Sequence, residues 1–236
     1  MSWQVTGDVL LIDLDGTLVD SRSSIAAGWG DWARRYDVDL ATLLDIMPGR
    51  NATAVMREMR PDLPESVLAQ DYATLLASEI ADAGSVTAMP GARELLDALP
   101  PGRWALVTAC TTELAEARLR AAGLPVPKVL VGAEAVALGK PDPAGYLAAA
   151  ESLDARPDRS LVIEDAPAGV TAGLAAGMQV IAVPPAAAGL SKPGCLVIPG
   201  LDHLDIDDGT DPITLRYHSD GYHGDSYHSD GYRGGS

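Results

Sequence analysis

Two carboxylates, Asp13 and Asp15, follow directly on the apolar run Val9–Ile12. A short and wholly apolar run is typical of a buried parallel strand, and open α/β sheets bind their ligands at the carboxyl ends of such strands. Two acids this close repel each other in a dry site, so a cation is expected between them. Mg²⁺, which prefers carboxylate and phosphate oxygens, is the natural candidate. A polar Asp-Gly turn without a catalytic role is the alternative.

Polar residues with the same placement recur later in the chain. An apolar run at residues 104–108 ends in the hydroxyl of Thr108, and another apolar run ends in the carboxylates of Glu164 and Asp165. Lys140 lies between these two runs, just before a predicted helix. If all these strands are parallel neighbours, their carboxyl ends bring hydroxyl, ammonium and carboxylate groups to one edge of the sheet.

The order of these residues resembles the four-motif signature of the haloacid dehalogenase superfamily, which is carried here by Asp13, Thr108, Lys140 and Asp165. The chain is similar to the phosphatase branch of that superfamily over residues 9–183. The similarity is most specific over residues 99–183, where it extends to 2-deoxyglucose-6-phosphate and glycerol phosphate phosphatases. The resemblance implies a hydrolase that forms an aspartyl-phosphate.

The resemblance also implies a role for each matching residue. Asp13 is expected to be the nucleophile and a metal ligand, and Asp165 the second carboxylate ligand of Mg²⁺. Asp15 is expected to act as general acid and then as general base, with its backbone carbonyl on the metal. Lys140 is expected to neutralise charge on the nucleophile and on the phosphoryl group, whose oxygens Thr108 would bind. A strand-end threonine and a solvated loop lysine are the alternatives for these last two.

Five further residues have supporting or substrate-binding roles by the same resemblance. Glu164 is expected to support the metal ligands from outside, and Thr17 is a second supporting residue. Arg50 lies in a loop that resembles the substrate-facing loop of the family, where it would hydrogen-bond a sugar hydroxyl or the phosphate. The adjacent Asn51 is a substrate contact or the N-cap of a helix. Ala109 occupies a position where relatives carry a hydroxyl or amide, so only its backbone N–H is left to bind phosphate.

Apolar runs alternate with helical patterns along most of the chain, which predicts a Rossmann-like α/β core with a parallel sheet. The expected strands are residues 9–12, 104–108, 128–131, 160–163 and 179–183. The expected helices of this core are residues 91–99, 113–122, 143–153 and 166–176. Gly123 and Gly177 follow two of these helices, as C-terminal capping glycines do.

Residues 21–87 do not follow this alternation. They are predicted to form helices at 25–36, 41–46, 51–59 and 66–83, and the resemblance implies that these form an α-helical cap inserted into the core. The core is then discontinuous and comprises residues 1–20 and 88–208. Residues 209–236 are expected to be a disordered tail, because an approximate five-residue repeat that starts at Tyr217 contains no aliphatic residue to bury.

Composition narrows the possible partners. The 236-residue chain has a formal net charge of −16, which argues against nucleic acid as a partner because phosphates are bound by Lys and Arg. No apolar stretch approaches membrane-spanning length, so no membrane association is expected. Cys110 and Cys195 make no disulfide framework, and a cytoplasmic location is the expectation. A small phosphorylated metabolite is the implied partner, and a monomer is favoured.

Relatives of the phosphatases provide alternative functions. Asp15 argues against a dehalogenase, which needs no second aspartate, and the absence of lysine from residues 21–127 argues against a phosphonatase. A β-phosphoglucomutase-like enzyme has the same core motifs, although the segment after Asp20 lacks the expected histidine. A non-enzymatic module that binds a phosphorylated ligand would be expected to carry damaged motifs. The mutase and the binding module remain open.

Overall fold

The computed structural model describes residues 2–185, 192–207 and 211–218. The strands in these ranges are, in chain order, β1 (Ser2–Gly7), β2 (Val9–Ile12), β3 (Val19–Asp20), β4 (Thr87–Ala88), β5 (Trp104–Val107), β6 (Leu130–Val131), β7 (Ser160–Glu164), β8 (Gln179–Ala182), β9 (Cys195–Val197), β10 (Leu204–Asp207) and β11 (Ile213–His218). The helices are α1 (Arg22–Tyr36), α2 (Leu40–Ile46), α3 (Ala52–Met59), α4 (Glu65–Ala81), α5 (Ala92–Ala98), α6 (Thr112–Ala121), α7 (Ala144–Ser152) and α8 (Pro167–Ala175).

A six-stranded parallel sheet forms the centre of the molecule, with the order β6-β5-β2-β7-β8-β9. All four residues of β2 are buried. Leu10 and Ile12 pack into the apolar cluster on one face of the sheet, and Val9 and Leu11 pack into the cluster on the other. This alternation is the period of two expected for a strand covered on both faces. The predicted α/β fold with a parallel sheet is therefore confirmed.

Helices cover both faces of this sheet. Residues of α5 and α6, such as Leu95 and Leu119, belong to the first cluster, and residues of α7 and α8, such as Tyr146 and Val170, belong to the second. Each of these four helices lies within two residues of its predicted bounds. The sheet thus has the three-layer arrangement in which parallel strands are buried between helices.

Helices α1 to α4 form an insertion between β2 and α5, and the paired strands β3 and β4 connect it to the rest of the chain. Val19 pairs with Ala88 and Asp20 with Thr87, so the chain leaves and returns at the same place. The insertion has its own apolar cluster, which includes Trp29, Trp32, Leu43, Met56 and Leu75. The predicted helices of this region are therefore present, while the division into domains at residues 21 and 87 stays a prediction.

A second sheet corrects the prediction for the C-terminal segment. Strand β11 lies between β1 and β10 in an antiparallel three-stranded sheet, and its Ile213 and Leu215 are buried. The expectation of a disordered tail from residue 209 is therefore wrong for residues 213–218. Residues 213–216, just before the repeat that begins at Tyr217, alternate between apolar and polar side chains, which is a strand pattern. Residues 208–210 and 219–236 lie outside the described residues.

Among the described residues, no helix has both the length and the apolar character required to cross a bilayer.

Candidate active site

The carboxyl ends of three adjacent strands, β5, β2 and β7, form the edge of the sheet at which the predicted residues meet. Asp13 directly follows β2 and Thr108 directly follows β5. Glu164 is the last residue of β7, and Asp165 directly follows it. Lys140 reaches this edge from the loop before α7, and its ammonium contacts both Asp13 and Glu164. Residues that are far apart in sequence are therefore gathered at one place, as parallel neighbouring strands require.

The ammonium of Lys140 is buried and fully hydrogen-bonded. It donates to a carboxylate oxygen of Asp13, to Oε1 of Glu164 at 2.5 Å and to the backbone oxygen of Val107 at 3.0 Å. These three bonds use all the donors of an ammonium group. Burial alone lowers the pKa of Lys140, but the charges of Asp13 and Glu164 outweigh it and raise that pKa above its usual range. Lys140 is accordingly a fixed positive charge beside Asp13.

Glu164 has no solvent exposure, and its carboxylate holds Lys140 in place. Its Oε1 also accepts a hydrogen bond from the hydroxyl of Tyr146 at 2.8 Å, and its Oε2 accepts one from the backbone N–H of Ala166 at 3.0 Å. A Cβ on Gly169 would overlap this carboxylate, so helix α8 approaches it closely only because residue 169 is glycine. Tyr146 was missed by sequence reasoning, because one tyrosine in an apolar helix carries no distinguishing signal.

Three buried carboxylates, Asp13, Glu164 and Asp165, offer oxygens that all lie within 4.8 Å of one another. Burial, followed by the charge of Glu164, raises the pKa of Asp13 to about 7. Burial, followed by the charge of Asp13, raises the pKa of Asp165 to about 9. One ammonium does not balance three carboxylates. A divalent cation with a preference for oxygen ligands fits this donor set, and Mg²⁺ is such a cation.

Gly16 and Thr17 bring the turn after β2 against Asp165. Gly16 has φ +87°, a left-handed conformation, and a Cβ there would overlap the carboxylate of Asp165. The hydroxyl of Thr17 donates to Oδ1 of Asp165 at 3.4 Å, a long hydrogen bond. The Asp-Gly turn is thus present, and it lies in contact with the acidic cluster rather than standing apart from it.

The side chain of Asp15 has hydrogen-bond partners of its own. Its Oδ1 accepts a hydrogen bond from Ser21 at 2.7 Å, and its Oδ2 accepts one from Nη1 of Arg118 at 2.7 Å. Arg118 lies on α6 and is 1% exposed, whereas the side chain of Asp15 is 23% exposed, so the carboxylate of this ion pair stays accessible from the cavity. The assignment of the Asp15 backbone carbonyl to a metal stays a prediction.

Arg118 and Glu79 were both missed by sequence reasoning. Nη2 of Arg118 lies 3.5 Å from Oε2 of Glu79, which projects from α4 of the helical insertion. Burial raises the pKa of Glu79 to about 7, although the charge of Arg118 acts in the opposite direction. Arg118 follows Leu114 by four residues on the buried stripe of α6, and an arginine on such a stripe was the available signal.

Residues 108–110 form the turn after β5. The backbone N–H of Thr108 donates to Val131 at 3.0 Å, and its hydroxyl oxygen accepts from the backbone N–H of Cys110 at 3.2 Å. Burial raises the pKa of the Cys110 thiol above its usual range, so it stays protonated. Cys110 and Cys195 are both free, as the cysteine content predicted. Ala109 contributes no side-chain donor.

A cavity of about 590 Å³ lies between the helical insertion and the carboxyl edge of the sheet. Asp15, Ala109 and Asp165 line it from the sheet side, and Arg50 lines it from the insertion. Arg50 also donates to Glu58 at 2.5 Å, so the predicted substrate residue has a partner within the insertion.

Asn51 lies at the N-terminus of helix α3. Its side-chain oxygen accepts from the backbone N–H groups of Thr53 and Ala54, which makes it the N-cap of α3. It also lines a second, smaller cavity of about 20 Å³ together with Thr108 and Lys140. This volume suffices for about one water molecule.

A sequence model described as haloacid dehalogenase-like hydrolase matches residues 8–177 of the chain. Hexitol phosphatase A of Escherichia coli (strain K12) is 42% identical over 175 residues, which cover 73% of this chain and 81% of that protein. Glycerol-1-phosphate phosphohydrolase 2 of Saccharomyces cerevisiae is 31% identical over 186 residues, which cover 73% of each protein.

The fold has counterparts among solved structures. The crystal structure of a hydrolase from Pseudomonas syringae aligns with a TM-score of 0.67 and 24% identity, covering 75% of this chain and 84% of that one. A likeness at this level of identity concerns the fold alone.

Proposed function

Because the chain belongs to the haloacid dehalogenase-like hydrolase family, we propose that it is a Mg²⁺-dependent phosphatase. It hydrolyses phosphate monoesters of small sugars or polyols through an aspartyl-phosphate intermediate. The observation that carries the proposal is the contact of Lys140 with Asp13 among three buried carboxylates. This arrangement supplies a nucleophile, a fixed positive charge and a cation site at one point.

The substrate class rests on the relatives and on the cavity. The two relatives described above are named for hexitol and glycerol phosphate esters. A cavity of about 590 Å³ accommodates esters of this size. Residues 21–87 act as a cap that encloses the substrate, and the enzyme works as a cytoplasmic monomer in this proposal.

Asp13 and Asp165 would hold Mg²⁺, together with the backbone carbonyl of Asp15. When bound, the cation neutralises charge on the phosphoryl oxygens. Glu164 stays on Lys140 and Ala166, because hydrogen bonds already engage both of its oxygens. Thr17 supports Asp165 through its hydroxyl.

The reaction takes two steps. A carboxylate oxygen of Asp13 attacks phosphorus, and the bond from phosphorus to the ester oxygen breaks. The protonated form of Asp15 gives its proton to the leaving alkoxide and becomes the carboxylate that pairs with Arg118. Asp15 then takes a proton from a water molecule, which attacks phosphorus and releases phosphate from Asp13. Lys140 offsets the negative charge near Asp13 throughout. The position of Asp15 on the cavity, beside the acidic cluster, suits this exchange with the alcohol and with water.

The remaining predicted residues bind the substrate. Thr108 and the backbone N–H of Ala109 bind phosphoryl oxygens, with this amide replacing the side-chain donor that relatives carry. Arg50 contacts the alcohol part from the cavity wall. Asn51 orients the loop that carries Arg50, since it caps the helix that follows.

The test is phosphate release from sorbitol 6-phosphate, glycerol 1-phosphate and β-glucose 1-phosphate, with Mg²⁺ or with EDTA. Asp13→Asn should lower kcat by at least about 1,000-fold, because an amide is a poor nucleophile and a weak ligand. Asp8→Asn is the matched control, since Asp8 lies at the other end of β2 and pairs with Arg159. It should leave kcat unchanged.

Other outcomes identify the alternatives. Conversion of β-glucose 1-phosphate to its isomer without phosphate release would indicate a mutase. Calorimetric binding of the esters without any turnover would indicate a binding module. Near wild-type release by Asp13→Asn would overturn the mechanism.

A further inference from the structure

Arg118 lines the cavity with unused hydrogen-bonding capacity. Only its Nη1 donates a hydrogen bond, to Asp15, while Nε and Nη2 are buried and have no hydrogen-bond partner among the described residues. A buried donor without a partner costs free energy. A guanidinium presents its donors in a rigid planar fork, so Nη2 lies beside the Asp15 contact at a fixed spacing.

Glu79, on helix α4 of the insertion, lies beside the same fork. It is 8% exposed and lies on the cavity wall, and the described residues give it an ion pair with Arg118 at 3.5 Å. That separation is long for a charge-assisted hydrogen bond. The two groups therefore lie close to each other at the cavity wall without forming a hydrogen bond.

A hydroxyl group satisfies both, because it donates one hydrogen bond and accepts others. It would donate to the Glu79 carboxylate and accept from Nη2 of Arg118. Asp15 lies at the other nitrogen of the same guanidinium. In the proposed mechanism Asp15 contacts the ester oxygen. Because Nη1 and Nη2 are adjacent in the guanidinium fork, a hydroxyl bound by Nη2 and Glu79 would lie next to that oxygen, as the oxygens on neighbouring carbons do.

Apolar side chains complete the site. Trp29, Met47 and Leu76 of the insertion line the same cavity as Glu79. A polyol or sugar has carbon-bound hydrogens on one side and hydroxyls on the other, so an apolar wall beside a charged pair matches both sides.

We propose that Glu79 and Arg118 bind the hydroxyl group on the carbon next to the phosphorylated carbon, and so select phosphate esters of vicinal diols. This inference rests on the proposed function, whose reaction places the ester oxygen at Asp15. It assigns substrate selection to two residues: Glu79 of the insertion, and Arg118 of α6, a helix that covers the central sheet. Arg118 has a second role, because it also positions the carboxylate of Asp15.

The test compares two substrates in each protein: glycerol 1-phosphate and n-propyl phosphate, which has the same carbon chain without hydroxyls. Glu79→Gln should lower kcat/KM for glycerol 1-phosphate by about 10- to 100-fold, the range for a hydrogen bond to a charged group. Its kcat/KM for n-propyl phosphate should change by less than about 3-fold. The ratio of the two values is independent of how much protein is folded.

Glu65→Gln is the matched control, because Glu65 lies on the same helix, is exposed and pairs with Arg57. It should leave the ratio at the wild-type value. Glu79→Ala, which removes both oxygens, should lower the ratio at least as far as Glu79→Gln.

Equal losses on both substrates would overturn the inference and assign Glu79 a structural role. A wild-type enzyme that does not prefer glycerol 1-phosphate would overturn it as well. Failure of the proposed function is a different result, namely no phosphate release by the wild type from either ester. In that case binding tests the inference. Calorimetry gives the affinities of Asp13→Asn, with and without the added Glu79→Gln, for the two esters. The ratio of the affinity for glycerol 1-phosphate to that for n-propyl phosphate should fall when Glu79→Gln is added.

Discussion

Three carboxylates and one ammonium lie together in a buried site. This excess of negative charge affects the protonation of the individual carboxylates. Asp13 and Asp165 keep their protons to higher pH than an aspartate in water does, because burial and mutual repulsion disfavour their charged forms. Buried charges of one sign are costly unless they are paired. A bound cation would convert this unfavourable cluster into a favourable one.

Mg²⁺ should therefore stabilise the protein more at pH 8 than at pH 6. With a pKa of about 7 for Asp13 and about 9 for Asp165, the folded metal-free chain binds more protons than the unfolded chain. These two groups thus make its free energy of unfolding fall as pH rises from about 4 to 9. Mg²⁺ binds the deprotonated form, so its affinity rises over this range. At 100 times Kd it adds about 2.7 kcal/mol, or about 5–10 °C in Tm.

Thermal melts at pH 6 and pH 8, with and without Mg²⁺, check this prediction. Asp165→Asn should reduce the shift caused by Mg²⁺ at pH 8, while Asp158→Asn, an exposed aspartate paired with Arg156, should not. A shift that is the same at both pH values would contradict the assignment of Asp13 and Asp165 as ligands.

At the scale of elements, the site depends on how closely α8 approaches the end of β7. Glu164 fits under the first turn of α8 only because Gly169 has no side chain. The helix in turn supplies the backbone N–H of Ala166, just before its first residue, to the same carboxylate. The packing of one helix on one strand end thus positions Glu164, and Glu164 positions Lys140.

Gly169→Ala should lower the free energy of unfolding by about 1–3 kcal/mol, because the new methyl group displaces Glu164 or the helix. It should also lower kcat, since Lys140 loses its fixed partner. Chemical denaturation and phosphate release measure the two effects. Gly84→Ala is the matched control, because a Cβ at Gly84 would meet nothing within 4 Å. Its free energy of unfolding should stay within about 0.5 kcal/mol of wild type. A Gly169→Ala protein as stable and active as wild type would refute this account.

At the scale of the whole molecule, the two ends of the described chain close on each other. Strand β11 pairs with β1 over six residues and separates it from β10. Ile213 and Leu215 join the apolar cluster that also contains Leu10 and Ile12 of the central strand. The C-terminal strand is therefore part of the structure that supports the site.

A chain that ends at residue 210 should lose about 3–6 kcal/mol of stability, the contribution of burying two large aliphatic side chains. A chain that ends at residue 218 keeps β11, so its stability and its kcat should equal those of the full chain. Denaturation midpoints and phosphate release of the two truncated proteins provide the measurement. Equal stability of the two would mean that β11 contributes nothing.

The sequence by itself determined the parallel sheet and the residues at its carboxyl edge. Apolar runs such as Val9–Ile12 can be buried only between two layers, and this local property places Asp13 and Asp165 at strand ends without any knowledge of the fold. The resemblance to a known family then attached roles to them. The strand β11 was missed because its apolar–polar alternation is only four residues long before the repeat begins, and because its partner β1 lies at the other end of the described chain.

Only the tertiary structure decided which side chains meet. Nothing in the sequence indicates that Arg118 of α6 reaches Asp15, that Glu79 of the insertion faces Arg118, or that Tyr146 holds Glu164. These contacts depend on distances across the packed elements. The buried stripe of α6 indicates that Arg118 is buried, but no local pattern indicates which residues it contacts. The sequence therefore determines which groups end at the carboxyl edge of the sheet, whereas packing determines the groups that position them and, by our inference, the alcohol that the protein accepts.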